Sequence, residues 1–175
     1  CVKSSGIEVI RAIYGTVRDK NWDTVEPRLE IERVEQGHDS FLLHFTAHHE
    51  EDPISFSWKG TIEGKGSVLN FTFDGRAKSS FLRNRIGICV LHPIVECAGK
   101  PCRVRHSDGV WKEQSFPRFI SPHQPLKDIR ALAWSPSERV QANIELEGEV
   151  FEMEDQRNWT DASFKTYSTP LELPF

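Results

Sequence analysis

Hydrophobic and polar positions alternate along most of this chain. Phe41, Leu43, Phe45 and Ala47 are interleaved with Leu42, His44, Thr46 and His48, and Ile54, Phe56, Trp58 and Ile62 with Ser55, Ser57, Lys59, Thr61 and Glu63. The same beat recurs at Leu69, Phe71 and Phe73 and at Val140, Ala142, Ile144 and Leu146. A period of two sends successive side chains to opposite faces of a strand, so each segment reads as a half-buried antiparallel strand with one wet face. Turn residues stand between the segments, at Gln36-Gly37, Glu51-Asp52-Pro53, Gly64-Lys65-Gly66, Asp74-Gly75, Ser107-Asp108-Gly109 and Ser135-Pro136-Ser137. Two of these, Gly64-Lys65-Gly66 and Ser107-Asp108-Gly109, predict hairpins. Many short strands without a long helical pattern predict an all-β fold, an antiparallel β-sandwich. Galactose-mutarotase-like supersandwiches and the accessory sandwiches of glycosidases fit the pattern by analogy of fold.

Two stretches break the alternation. Ile86-Gly-Ile-Cys-Val-Leu91 is apolar on both faces and predicts a central strand covered on both sides. It delivers His92 at its end, just before Pro93, and Arg83 and Arg85 flank Asn84 ahead of it. A guanidinium pair of this kind suits the carboxylate of a sugar acid, or carboxylates on neighbouring strands. Farther on, Glu154, Asp155, Gln156, Arg157, Asn158, Thr160, Asp161 and Lys165 crowd around Trp159, Phe164 and Tyr167. Carboxylates, amides and a lysine among aromatic rings suit a polyhydroxylated ligand; the same residues also suit a loop that ties down its own backbone. The candidate catalytic residues are Glu154, Asp161 and His92. The candidate ligand-binding residues are Arg83, Arg85, Asn158, Trp159, Lys165 and His123, the last from the rigid loop Pro122-His123-Gln124-Pro125. Arg83, Arg85, Asn158, Asp161 and Lys165 are expected to converge near the strand end that carries His92.

Composition narrows the partners. A length of 175 residues predicts one domain, residues 1–169, with Pro-Leu-Glu-Leu-Pro-Phe at 170–175 opening a linker to a downstream domain. If that domain packs here, Trp159, Phe164, Tyr167, Leu171 and Phe175 are expected to form an exposed apolar patch. Hydrophobic residues make up 38% and charged residues 27%, which is ordinary globular chemistry, and a net charge of −4 provides no basic footprint for nucleic acid. No apolar run approaches the ~20 residues of a membrane span, and no signal-peptide pattern opens the chain, so the cytoplasm is the expected compartment. Two glycosylation sequons, Asn70-Phe-Thr72 and Asn158-Trp-Thr160, then read as chance matches.

Four cysteines are too few for a disulfide scaffold of this length. Cys89 sits inside the apolar strand and reads as core. His92, Cys97, Cys102 and His106 have metal-compatible types, but structural zinc sites use tighter cysteine spacing. A Cys97–Cys102 disulfide and free, partly buried thiols are the other readings, with free thiols the default. His44 and His48 share a strand face beside Glu50, Glu51 and Asp52; without a third ligand fixed by spacing this is a solvated face. Neither a Gly-x-Ser-x-Gly elbow nor a phosphate-cradling glycine loop is present, and no cofactor is expected.

The stretch 151–170 resembles a signature of the D-apionate lactonase family, bacterial enzymes of branched-sugar (apiose) catabolism. The resemblance extends to Ile13-Tyr14, Val17-Arg18-Asp19 with Asn21-Trp22, and Phe81 through Gly87 running into Cys89-Val-Leu-His-Pro93. It also takes in Glu96-Cys-Ala-Gly99, Pro101-Cys102 and Pro122-His-Gln-Pro125, and so covers nearly the whole chain. It implies hydrolysis of a sugar-derived lactone, with a sugar lactone or sugar acid as ligand and a catalytic domain farther along the same, longer polypeptide. In that setting this chain shapes one wall of the active site or packs against the catalytic domain. A non-catalytic carbohydrate-binding or structural sandwich, and a self-contained mutarotase-like enzyme, remain the alternatives.

The cysteine spacing yields a first test. Elemental analysis of the purified protein should give well under about one zinc per chain, since a thiolate–zinc site is tight enough to survive purification. Stoichiometric zinc lost on Cys97→Ser would contradict this.

Overall fold

The computed structural model describes residues 1–168; the expected linker at 170–175 lies outside the described residues. The elements are β1 (Val2–Ser4), β2 (Ile7–Ile10), β3 (Ala12–Asp19), β4 (Pro27–Gln36), β5 (Ser40–Glu51), β6 (Ile54–Lys65) and β7 (Val68–Ala77). After them come β8 (Arg83–Pro93), a single helical turn α1 (Ile94–Cys97), β9 (Pro101–Arg105), β10 (Trp111–Ser115), β11 (Ala131–Ser137) and β12 (Val140–Glu145). The described chain ends with β13 (Phe151–Asp155), a 3-10 helix at Gln156–Trp159, and β14 (Ser163–Ser168). The fold is all-β and built from antiparallel sheets, as the periodicity predicts. The described residues divide into two compact units, one of Gly15–Gly87 and one of Cys1–Tyr14 with residues 88–168. Strands β3 and β8 each contribute residues to both.

The Gly15–Gly87 unit holds the meander β4-β5-β6-β7, and its long strands show the predicted alternation. Phe45, Ala47, Phe56 and Trp58 face a core completed by Val17, Val25, Ile54 and Phe81. Trp58 stacks on Phe73 with ring centroids 4.4 Å apart. Two aromatic rings of β5 lie over glycines of the facing strand β6. Phe45 stands opposite Gly60 and Phe41 opposite Gly64, and a Cβ on either glycine would sit 2.2 Å from the ring. This corrects the predicted turn at Gly64-Lys65-Gly66: Gly64 belongs to β6, where the Phe41 ring needs the space. The turn itself is Gly66-Ser67, with Lys65 paired to Val68 and Gly66 at φ +56°.

His49 is buried in the same core. Its Nδ1 donates to the Val25 carbonyl (2.7 Å), which leaves Nε2 to accept from the Trp58 indole N–H (3.0 Å). Burial lowers its pKa against the opposing pull of the Val25 hydrogen bond, and a neutral ring satisfies both partners. His48 turns outward to Glu30 (3.7 Å), and His44 lies 3.4 Å from the Thr61 hydroxyl.

The other unit contains the sheet β10-β9-β11-β12 and the strands β13, β14 and the later part of β8. Cys102 and Val104 of β9 and Leu132 and Trp134 of β11 share one core with Phe151 and Met153 of β13 and Phe164 of β14. The predicted hairpin at Ser107-Asp108-Gly109 joins β9 to β10. His106 N–H donates to Val110 O (3.1 Å), and Gly109 takes φ +81°. The apolar strand is internal to its sheet, between β14 and β3, as its two apolar faces predict. All four cysteines are free thiols. Burial pushes both Cys97 and Cys102 up to about 12, so neither is a ready thiolate.

The glycine under Phe45 yields a stability test. Gly60→Ala should cost about 1–3 kcal/mol, because the added methyl displaces a ring with no free volume to move into. The urea midpoint should fall with an unchanged slope.

Candidate functional site

A concave site lies at the end of β13. There the strand passes into the 3-10 helix, whose αL residue Thr160 turns the chain back into β14. The register pairs Glu154 with Lys165 and Glu152 with Tyr167, while Met153 and Asp155 point to the opposite, buried face. Alternation therefore sorts this polar segment into two roles.

Asp155 is the inward-facing anchor, with no exposed surface. It accepts from Arg157 Nε (2.9 Å) and Nη2 (2.7 Å), from the Arg157 N–H that starts the 3-10 helix (3.1 Å), and from the Ser121 N–H (2.9 Å). Burial alone would raise its pKa. The hydrogen bonds from Arg157 and Ser121 outweigh that and hold the carboxyl below the usual carboxylate range. Arg157 in turn donates to the carbonyls of Pro117 (3.2 Å), Arg118 (3.0 Å) and Phe119 (2.9 Å), and its guanidinium lies 5.1 Å from the Phe164 ring centre. This pair fastens the loop 117–121 to the strand end.

The outward-facing groups surround the cavity. Glu154 accepts from Lys165 Nζ (2.9 Å), Gln156 Nε2 (2.8 Å) and the Trp159 indole N–H (3.3 Å). The indole is thereby oriented while its ring stays 69% exposed. Both amide hydrogens of Asn158 go to backbone carbonyls, of Ser121 (2.6 Å) and Asp155 (3.0 Å), which leaves its oxygen as an acceptor. His123 is exposed on the opposite rim, and the Ser121 hydroxyl ties down its carbonyl (2.8 Å). The cavity holds about 280 Å³, at the small end of the ligand-site range. Its walls are Glu154, Asp155, Asn158 and Trp159 on one side and the 121–124 loop on the other.

Over residues 1–175 the chain matches the family described as D-apionate lactonase, N-terminal domain. The chain belongs to that family. A protein of Brucella anthropi named D-apionate lactonase is 42% identical over 172 residues, which are 97% of this chain and 28% of that relative. The chain thus spans about 28% of the length of the curated relative it matches. No solved structure matches.

In this member of the D-apionate lactonase N-terminal domain family, the expected site residues divide. Glu154, Asn158, Trp159 and His123 line one cavity, and Lys165 braces it through Glu154 and Gln156 (3.2 Å). Asp161 stands apart, 42% exposed, facing Arg11 at 3.6 Å and accepting from the Ser163 hydroxyl (3.0 Å). His92 is a correction. It has no exposed surface, because β8 carries it into the core. There its Nε2 lies 2.9 Å from the Thr166 hydroxyl, and its ring meets Trp134 edge-on at 5.2 Å. Burial pushes its pKa down to about 3. Arg83 and Arg85 belong to the Gly15–Gly87 unit. Both are buried; Arg85 lies 5.5 Å from the Trp22 ring centre, and Asn84 between them donates to the Asp19 carbonyl (2.8 Å).

The expected apolar patch is corrected as well. Phe164 and Tyr167 are fully buried and only Trp159 is exposed, while Leu171 and Phe175 lie outside the described residues. Alternation explains Phe164, which faces the core opposite Asp155. Tyr167 is on the outer face, but Gln124 reaches its hydroxyl (3.4 Å) and Lys165 lies over its ring at 5.8 Å. Sequence reasoning missed Ser121. The available signal was Asp155-x-Arg157, a cap pair that needs backbone partners.

No group of three or more His, Cys, Asp or Glu side chains gathers as a metal site among the described residues.

Two tests follow from the ionisable core. Asp155→Asn should cost about 3–5 kcal/mol, because it strands a largely buried Arg157. The native carboxyl is depressed, so its contribution is present above the unfolded pKa of ~3.9 and is lost as pH falls through the native value. Denaturant titrations at several pH values would show both effects. His92 acts over a wider window. Native His92 stays neutral down to about 3, whereas the unfolded chain protonates it near the ordinary histidine value of 6.5. The unfolded state therefore binds more protons between those values. Stability should fall with decreasing pH at up to about 1.4 kcal/mol per pH unit, and His92→Gln should flatten that slope.

Proposed function

We propose that this chain is the N-terminal domain, residues 1–169, of a sugar-lactone hydrolase, and that the polypeptide continues from about residue 170 into a catalytic domain. The observation that carries this reading is the family match over residues 1–175 together with the 28% share of the Brucella anthropi D-apionate lactonase that the match occupies. The substrate class is the lactone of a branched sugar acid, and the setting is a bacterial cytoplasm.

Opening a lactone requires a base to activate water and a cation or N–H groups to stabilise the oxyanion on the former carbonyl. Glu154 is committed to three donors at once, which makes it a fixed acceptor rather than a free base. Asp155 is spent on Arg157 and Ser121. The cavity is therefore suited to holding hydroxyls rather than breaking the ester. The exposed Trp159 ring covers the C–H face of the sugar, the Asn158 oxygen and the Glu154 carboxylate accept its hydroxyls, and His123 closes the far rim. The catalytic groups are assigned to the downstream domain, with this cavity as one wall of the shared site.

Steady-state kinetics on sugar-acid lactones test this. The full-length enzyme should turn over at an ordinary rate, on the order of 1–10³ per second, and residues 1–175 alone should not. In the full-length enzyme, Trp159→Ala should raise KM about tenfold with little change in kcat, equivalent to about 1.4 kcal/mol of uniform binding. Ordinary turnover by the isolated chain, or an unchanged KM in the variant, would overturn the assignment.

A further inference from the structure

We infer that the aliphatic strip Leu29, Ile31 and Val34 on β4 is the docking surface for the downstream part of the same polypeptide. The strip begins with an anomaly of register. Leu29 pairs with Ala47, Ile31 with Phe45 and Val34 with Leu43, all residues on the core-facing side of β5. Strict alternation from Leu29 and Ile31 would place Arg33 on that side. A bulge between Ile31 and Arg33 adds one residue and returns Val34 to the apolar face. The sequence therefore spends an irregularity on keeping three aliphatic side chains in line.

That face is not covered where they lie. Leu29 and Ile31 are 55% exposed and Val34 68%, whereas Phe45 and Ala47 beside them are buried. Phe41, opposite Gln36, extends the strip at 46% exposure. The other face of β4 is already engaged within its own sheet. Glu30 meets His48 (3.7 Å), and Glu32 accepts from the Thr46 hydroxyl (2.5 Å). β4 also ends its sheet, so a ten-residue strand presents both an apolar side and an open backbone edge. Proteins rarely leave a long edge of this kind bare.

The occupant follows from what the family adds. The matched segment is 28% of the Brucella anthropi relative, so most of that relative lies beyond it. A covalently attached domain reaches the strip at high effective concentration without a second molecule. This rests on the proposal that the polypeptide continues, but not on its activity.

Hydrogen–deuterium exchange on the full-length chain tests the inference. Peptides covering residues 28–36 should exchange slowly at every protein concentration, because docking shields the outward amides that an open edge leaves free. Replacing Leu29, Ile31 and Val34 together by Ser should speed their exchange on the order of 10- to 100-fold. The single variant Val34→Glu should do the same if the triple variant fails to fold. Fast exchange in the unmodified chain would overturn the inference, as would protection that disappears on dilution to monomers, which would assign the strip to a second copy. An active enzyme with an unprotected β4 defeats only this inference; a protected β4 in a chain that opens no lactone defeats only the proposed function.

Discussion

The candidate site depends on one buried carboxylate. Asp155 ends β13 on the core side, caps the 3-10 helix and receives the Ser121 N–H across the fold. A carboxylate with no exposed surface is tolerable only when its lone pairs are filled, and here Arg157 and two backbone N–H groups fill them. Through Arg157 the same charge holds three carbonyls of the 117–119 segment. Both walls of the cavity are thus set by one buried ion pair. The residues that look most like chemistry in a one-dimensional reading, an aspartate and an arginine two apart, serve as the frame.

Glu154 shows the complementary case. One residue earlier on the strand, it faces outward and meets Lys165, Gln156 and Trp159. Several donors on one carboxylate fix its position. Beside this network stand an oriented, exposed indole and the Asn158 amide oxygen. These are groups of the kind that hydrogen-bond to hydroxyls.

The two buried histidines differ in how their nitrogens are met: His92 is hydrogen-bonded at Nε2 and, among the described residues, its Nδ1 has no partner. His49 is satisfied at both nitrogens by Val25 and Trp58, and His92 sits among Trp134, Phe116 and Thr166. Neutral imidazole is the form that each environment admits, because burial disfavours the cation. These side chains act as compact polar members of a core. Aromatic rings seated over Gly60 and Gly64 show how tightly the sheet that carries His49 is packed.

The strand content, the sandwich class and the family were legible in the sequence. Alternation is a local property: a period of two places Phe45, Ala47, Phe56 and Trp58 on one side wherever the strand lies. The hairpin at Ser107-Asp108-Gly109 was equally local, since its glycine adopts a positive φ that few other residues tolerate. The sequence also marked the polar crowd at 154–165 as unusual. It could not supply the partners of that crowd, because they lie more than thirty positions away, such as Ser121 for Asp155 and the 117–119 carbonyls for Arg157. It misplaced His92 for a related reason. A histidine at the end of an apolar strand is compatible with a site or with a core, and only the sheet packed against it, bringing Trp134 to 5.2 Å, decides. Position along a strand is written in the neighbouring residues, whereas burial and hydrogen-bond commitment are set by segments that meet only when the chain folds.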